Sequence, residues 1–360
     1  MATDTDGDGA ADPEPTPGAG ADGAVGRTAE RVLARARRRW AGLSRRRKLG
    51  AAAAVVGVLA VVPFVVDNQF LLNTLIFVFL FGTLGHGWNV IGGYAGQVSL
   101  GHAVMFAAGA YTTAILFVYY GVTPWVGIPV GGAVATAVGL VLGGVTFRLR
   151  YHYFAMATLA AALIVRVVFF RWGWVGGATG IEYPFDQLGT LASLTFRGDT
   201  PYYFLIGGFA LVVTVLMYVL DRSKLGIYLK AINMDQQRAA SAGLDVFRYK
   251  MYAMGLSSLI TGICGGLYAQ YVLYIDPAST LRLLRNIDII MVAIVGGVGT
   301  VLGPLLGAGV FITVREYTRT YLSGGRTGLG YVVFGVVLLL ISMYRPGGIL
   351  NRYTGGGEDG

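Results

Sequence analysis

Three polar side chains, Gln97, Ser99 and His102, stand together in the stretch GGYAGQVSLGHAVMFAAGAY, residues 92–111, between a glycine cluster and an apolar run. An amide, a hydroxyl and an imidazole at this spacing offer two kinds of chemistry. They can polarise a path for a solute. Alternatively, Gln97 or Ser99 caps a helix start while His102 bonds a neighbouring carbonyl. Glycine-broken backbone survives in lipid only where protein or a water-filled path covers it. The stretch therefore reads as the mouth of a transport path. Catalysis and metal binding have little to work with. His86 and His152 are scattered in or beside other apolar segments, and Cys264 is the single cysteine, so neither a zinc cluster nor an intrachain disulfide is expected. A membrane-embedded enzyme needs convergent titratable groups, which the sequence does not group.

The elements that must position this stretch are apolar. The 360 residues are 55% hydrophobic and 13% charged, against about a quarter charged in soluble domains. Spans near the ~20 residues needed to cross a bilayer fall at 49–66, 71–91, 97–120, 125–147, 152–171, 202–220, 250–271, a broken region 286–318, and 328–344. This predicts an all-α polytopic bundle of about 8–10 transmembrane helices with a glycine-broken helix in each half. The net charge of +9 lies in clusters between the apolar runs, which suits membrane topology and not nucleic acid. Residues 1–26 are acidic and rich in Gly, Pro and Ala, composition for a disordered tail. Residues 27–48 carry ten basic side chains and read as a cytoplasmic juxtamembrane segment, with lipid binding as the other reading. The permease-like apolar domain is 49–350, and 351–360 is a short polar tail.

Counting from a cytoplasmic N-terminus puts Arg148, Arg150 and the loop 221–250 inside. It puts the loop 172–201, with Glu182, Asp186 and Asp199 against Arg197, outside. The C-terminal Arg345 and Arg352 come out inside only if 286–318 crosses twice or enters and returns. The run IDIIMVAIV-GGVGTVLGP-LLGAGVFITV permits either. GGVGTVLGP at 296–304 also echoes GGYAGQVSLGH at 92–102, as an internal repeat or as ordinary glycine-rich helix packing. Trp125, Trp172, Trp174, Tyr202 and Tyr203 read as an external aromatic belt. Arg166 is expected to snorkel to the outer face. Asp288, Arg315 and Glu316 are expected at an interface.

The loop 221–250 has helical composition from Met234 to Ala242, with Asp235 and Gln236 at the start and Gly243 as the stop. No glycine-rich run precedes any of Lys48, Lys224, Lys230 or Lys250 as a phosphate-binding loop requires, so the chain is expected to have no ATPase site of its own. It also lacks evident pairs of intramembrane charges, which weighs against a stand-alone ion-coupled secondary transporter or channel. A transporter of this kind would borrow energy from a partner docked on the loop.

Four stretches then match one family. GYAGQVSLGHAVMFAAGAYT at 94–113 resembles the signature of LivM-type permeases of branched-chain amino acid ABC importers. RLRYHYFAMATLAAALIVRVVFFRWGWVGGATGI at 148–181, LKAINMDQQRAASAGLDVFRYKMYAMGLSSLITGICGGLYA at 229–269, and MVAIVGGVGTVLGPLLGAGVF at 291–311 with YRPGGIL at 344–350 follow in the family's order. The resemblance implies a multi-pass plasma-membrane subunit paired with a second, LivH-type permease. Two cytoplasmic ATP-binding subunits would drive it, and an external solute-binding protein would supply selectivity. It places the ATPase-coupling segment on Asp235, Gln236, Arg238, Ala239, Ala240 and Gly243, and implies that no cofactor binds this chain, ATP being used by the partners. Urea and short amides are the substrates of similar permeases and stand as the alternative to leucine, isoleucine and valine.

Overall fold

The computed structural model describes residues 57, 61–65, 68–149, 151–184, 192–196, 198–322, 335 and 348–350. The segments 1–26, 27–48 and 351–360, most of the span 49–66, all but one residue of the span 328–344, and Arg150, Asp186, Arg197, Arg345 and Arg352 lie outside the described residues. The chain divides into two units after Val62, and the second, which begins at Pro63, holds the helices from Gln69 onward.

This second unit is helical, with one two-residue ribbon among the described residues. Helix α1, Gln69–Asn89, opens where the Asn68 side chain accepts from the Phe70 and Leu71 amides. It does not end cleanly but widens into a π-turn at Val90–Tyr94. Residues 95–101 leave the helix altogether, and α2 begins only at His102, running to Val118. The expected span from 97 is therefore a non-helical approach followed by 17 residues of helix, about 26 Å long and short of a full crossing. Helix α3, Pro124–Thr146, starts on a proline, whose missing N–H is not needed in the first turn. Then come α4, Tyr151–Arg171, and the ribbon strand β1, Ile181–Glu182. After α5, Asp199–Arg222, the chain turns into α6, Lys224–Met234, and α7, Gln236–Ser241. Helix α8, Val246–Val272, is followed by β2, Tyr274–Ile275, which pairs antiparallel with β1. Helices α9, Leu283–Gly296, and α10, Gly303–Leu322, close the described fold. Five helices among the described residues are long and apolar enough to cross a membrane.

Helix α8 is the post around which α1, α2 and α3 stand. Its glycines set the spacing. A Cβ on Gly109 of α2 would land in the Gly262 carbonyl, and one on Gly265 in the Phe106 carbonyl. Without a hydrophobic drive between helices in lipid, such close backbone approach supplies the packing energy.

The two ends of the bundle are distinct. Gln69 bonds Asp199 (2.6 Å), Asn73 bonds Tyr271 (2.5 Å), and the β1–β2 ribbon lies at this same ribbon end. At the opposite, loop end, Tyr94 bonds Asp221 (3.0 Å), and the Lys250 ammonium lies 5.9 Å from the Phe147 ring at the end of α3. The alternation demanded by the charge pattern is thus kept from α1 to α8. Helix α9 then returns toward the loop end, and α10 leaves it again. Residues 349 and 350 bond the carbonyls of Val295 and Gly296, at the loop end. The broken region is a hairpin with a 14-residue leg, about 21 Å, and a 20-residue leg, about 30 Å.

One expectation is corrected here. Tyr202 and Tyr203 are 3% exposed and pack edge-on against Tyr271 and Phe79, so they belong to the core and not to an aromatic belt. Trp125, Trp172 and Trp174 are exposed. Arg166 lies against the Phe170 ring at 5.5 Å, directed one turn toward the end of α4.

Gly109→Leu should cost more than about 3 kcal/mol, because the clash is with backbone that cannot rotate away. The expected outcome is loss of the folded protein from detergent extracts, read by size-exclusion chromatography. Gly208→Leu, at a glycine with open space before it, is the control.

Candidate functional site

The two glycine-broken segments meet in space. Asn89, the last residue of α1, accepts from the Gly299 amide (2.8 Å) and donates to the Thr300 carbonyl (3.0 Å). Asn89 is fully buried, and a Cβ on Gly93 would strike both its side chain and the Gly299 nitrogen. Gly299 itself takes φ +73°, which favours glycine. Thr300 Oγ1 completes the second turn by donating to Gly297 O (2.7 Å) and accepting from Gly303 N (3.1 Å).

The loop 221–245 grips the first of these turns. Asn233, on α6, donates to the Gly93 carbonyl (3.0 Å), and a Cβ on Gly96 would occupy the Asn233 amide. The Tyr94 hydroxyl reaches Asp221 (3.0 Å), which also pairs with Lys230 (2.7 Å), and the Lys230 ammonium lies 5.3 Å from the Tyr94 ring. From α6 the chain kinks at Asp235 into α7. Asp235 caps α7, accepting from the Gln237 and Arg238 amides (2.8 and 3.0 Å). The Arg238 amide first, then that of Gln237, holds the Asp235 carboxyl below its ordinary range. Gln236 is tied to Lys250 (3.0 Å), Ala239 is buried, and Gly243 ends the turn at φ +87°. Met234, 82% exposed, and Arg238 and Ala240 project from the outer face. The six expected coupling residues therefore sit on one short helix and its flanks. Helix α6, which the sequence reading did not separate, is what joins that helix to the glycine turn.

Gln97, Ser99 and His102 are each no more than 2% exposed. Ser99 and His102 come together, with Oγ to Nδ1 at 3.1 Å, and His102 Nε2 lies 2.9 Å from Ser257 Oγ. The hydroxyl of Ser257 donates to the Gly87 carbonyl (2.7 Å), so it must accept from His102, which puts the proton on Nε2. The imidazole is a neutral bridge from the non-helical segment to α8 and, through Ser257, to α1. Trp88 Nε1 donates to the Ser99 carbonyl (2.9 Å), and Gln97 makes a long bond to Gly96 O (3.3 Å). The start of α2 is capped by a residue the sequence reading missed. Asn286 of α9 accepts from the Ala103 amide (2.8 Å).

Asp288, Arg315 and Glu316, expected at an interface, form a cluster packed within the protein. Asp288 is 8% exposed and pairs with Arg315 (3.0 Å) and Arg282 (3.8 Å). Glu316 is 7% exposed and pairs with Arg315 (3.1 Å) and Arg319 (3.6 Å). Charges that look scattered in sequence are brought together because α9 and α10 fold back as a hairpin. Among the described residues no group of three His, Cys, Asp or Glu could hold a metal ion.

Residues 70–342 match the family model described as the permease component of branched-chain amino acid transport systems. The chain is 28% identical over 311 residues to the high-affinity branched-chain amino acid transport system permease protein LivM of Escherichia coli, covering 80% of this chain and 71% of that one. It is 28% identical to the protein of the same name in Salmonella typhimurium, over 74% and 67% of the two chains. It is 27% identical to the probable branched-chain amino acid transport permease protein LivH of Methanocaldococcus jannaschii, over 65% and 75%.

Asn89→Leu should remove both bonds and leave the Gly299 amide and Thr300 carbonyl buried and unpaired, a loss of about 2–4 kcal/mol. A thermal unfolding scan of the solubilised protein checks it, and an unchanged midpoint refutes the joint. The cap on α7 has the opposite sensitivity. Because the folded carboxyl of Asp235 is lowered, its stabilisation is complete above the ordinary carboxylate range. It is lost only as pH falls through the depressed value. Amide exchange at Gln237 and Arg238 should therefore stay slow from neutral pH down to about the ordinary carboxylate value.

Proposed function

The chain belongs to the family of permease components of branched-chain amino acid transport systems, and from that premise we propose that it is one membrane subunit of an ATP-binding cassette importer for leucine, isoleucine and valine. It works beside a LivH-type permease, with two cytoplasmic ATP-binding subunits and an external solute-binding protein. The loop end faces the cytoplasm, in the plasma membrane, as does the N-terminus. ATP is bound and hydrolysed on the partners.

One observation carries this reading. Helix α7 projects Arg238 from the loop end beside the exposed Met234 that ends α6, and α6 holds the Gly93 carbonyl through Asn233. A force applied to α7 from outside the membrane has a short, hydrogen-bonded route to the glycine turns inside it. Names of relatives supply the substrate class, and the buried state of His102 and Gln97 supports a framework role for them rather than a solute-binding one.

Reconstitution with the neighbouring subunits should give ATP-dependent leucine uptake that urea does not compete. Uptake that follows a proton or sodium gradient without ATP refutes the class. Competition by urea, with leucine inert, moves the substrate to short amides. Gly243→Pro forces a residue fixed near φ −65° onto φ +87°. Together with Arg238→Glu, it should lower ATP-driven uptake at least about tenfold, the loss expected when a coupling element is misplaced, while membrane insertion is unchanged. Normal coupled uptake in both variants refutes the docking role of α7.

A further inference from the structure

Among the described residues, Arg285 is a buried guanidinium with no carboxylate in ion-pair contact, and its buried Nε has no hydrogen-bond partner. It is 7% exposed, and its Nη2 donates to the Ser279 carbonyl (3.0 Å) and the Tyr268 hydroxyl (3.3 Å). The rings of Phe81, Phe106 and Tyr268 surround it, with centroids at 5.5, 5.1 and 4.9 Å. Such rings attract a cation but do not neutralise it. They also exclude water, which strengthens any charge pair formed among them.

The neighbourhood has too much positive charge for its acids. Four guanidinium groups, Arg282, Arg285, Arg315 and Arg319, stand against two carboxylates, Asp288 and Glu316. Both ion pairs of Asp288 use Oδ2, which leaves Oδ1 uncommitted among the described residues. Depth makes the imbalance significant. Arg285 and Arg315 both lie over the ring of Phe81 (5.5 and 4.7 Å), the thirteenth of the 26 residues in the span Gln69–Tyr94. Arg282 and Arg319, toward the ribbon end, have side chains 46% and 76% exposed. The arrangement is a graded one, with open arginines toward one end and an unpaired buried one at mid-depth. A cation held there with no carboxylate in direct ion-pair contact is less favourable than a paired one, and a visiting anion would relieve that cost.

We propose that Arg285 and Asp288 form a transient binding point for an α-amino acid inside the membrane, the guanidinium taking the carboxylate and the Asp288 carboxylate taking the ammonium. The proposal rests on the transport function proposed for the chain and deepens it. The two residues are three apart on α9 and share a face, so one zwitterion spans them. Nε offers the carboxylate a donor, and Nη2 joins it in a forked pair by exchanging its longer bond, to the Tyr268 hydroxyl (3.3 Å), for the solute, an approach that lysine cannot reproduce. Between them in sequence, Asn286 holds the first turn of α2 through the Ala103 amide (2.8 Å). Binding at this point therefore acts within one residue of the contact that fixes α2 to α9.

The test uses the complete membrane complex, purified with its ATP-binding subunits and without the solute-binding protein. Scintillation-proximity binding of tritiated leucine is competed with leucinamide, which lacks the carboxylate, and with 4-methylpentanoate, which lacks the ammonium. Wild type should bind leucine and be competed weakly by either analogue. Arg285→Lys should weaken leucine binding about tenfold or more, as expected for loss of a forked, charge-assisted pair. Asp288→Asn should weaken it similarly and abolish the preference for leucine over 4-methylpentanoate. ATPase activity and co-purification should stay at wild-type levels in at least one variant. Leucine binding within twofold of wild type in both variants overturns the proposal. So does failure of both to assemble, which makes the cluster a structural lock. A wild-type complex that shows ATP-driven leucine uptake but no binding here overturns the site alone. Absence of ATP-driven leucine uptake by the wild type overturns the transport reading beneath it.

Discussion

Backbone that leaves the helix inside a membrane must find its hydrogen bonds in protein. Among the described residues the chain leaves the helix within the bundle at 95–101 and at 297–302, and each break is made tolerable partly by the other. Asn89 supplies one donor and one acceptor to the second break from the end of the helix that leads into the first. Few side chains could do so. Aspartate lacks the donor, leucine lacks both, and glutamine is longer than the space between Gly93 and Gly299 allows. Gly93 and Gly299 are fixed by the same joint, one by crowding and the other by its positive φ.

The joint also changes how the loop at 221–245 relates to the path. In sequence the polar stretch at 97–102 and the segment around Gly243 are far apart and invite separate roles, one passive and one mechanical. In the fold they are parts of one assembly. Asn233 holds Gly93, Gly93 packs on Gly299, and Tyr94 is tied to Asp221. These are few, short, directional contacts on a π-turn, a backbone form often found where helices serve function. They join α6 and the start of the loop directly to the glycine turn.

Much of this was legible in the sequence, and the reasons for the rest are physical. Apolar length located α1, α3, α4, α5 and α8 to within a few residues, because hydrocarbon thickness leaves little freedom. Asp235 and Gly243 were legible as cap and stop because those roles are local. The place where α2 begins was not, since its cap, Asn286, comes from α9. His102, readable in the sequence either as lining a path or as held by a carbonyl, joins two serine hydroxyls, one of them more than 150 residues away. Tyr202 and Tyr203 were misplaced because an aromatic at a span end looks the same whether it faces headgroups or a neighbouring helix. The likeness of the glycine segments pointed to a repeat or to ordinary helix packing and not to a contact, because it is the α9–α10 hairpin that brings them together.

The charges on that hairpin are hardest to explain as stabilisers. Buried ion pairs seldom beat the apolar residues that could replace them, since desolvation offsets most of the Coulomb gain. A hairpin leg of 14 residues already buried along α1 would hold as well with leucines at 285 and 288. What leucine cannot supply is a potential that changes sign over one helical turn, positive at Arg285 and negative at Asp288. A zwitterion matches that pattern, while an ion of either sign meets one favourable group and one repulsive one. The same two residues flank Asn286, whose side chain caps the start of α2. The charge pattern and the joint that holds the non-helical segment in place are therefore set by three consecutive positions of α9 and the residue after them, Arg285 to Asp288. A solute that neutralises the outer two acts directly on the structure the inner one supports.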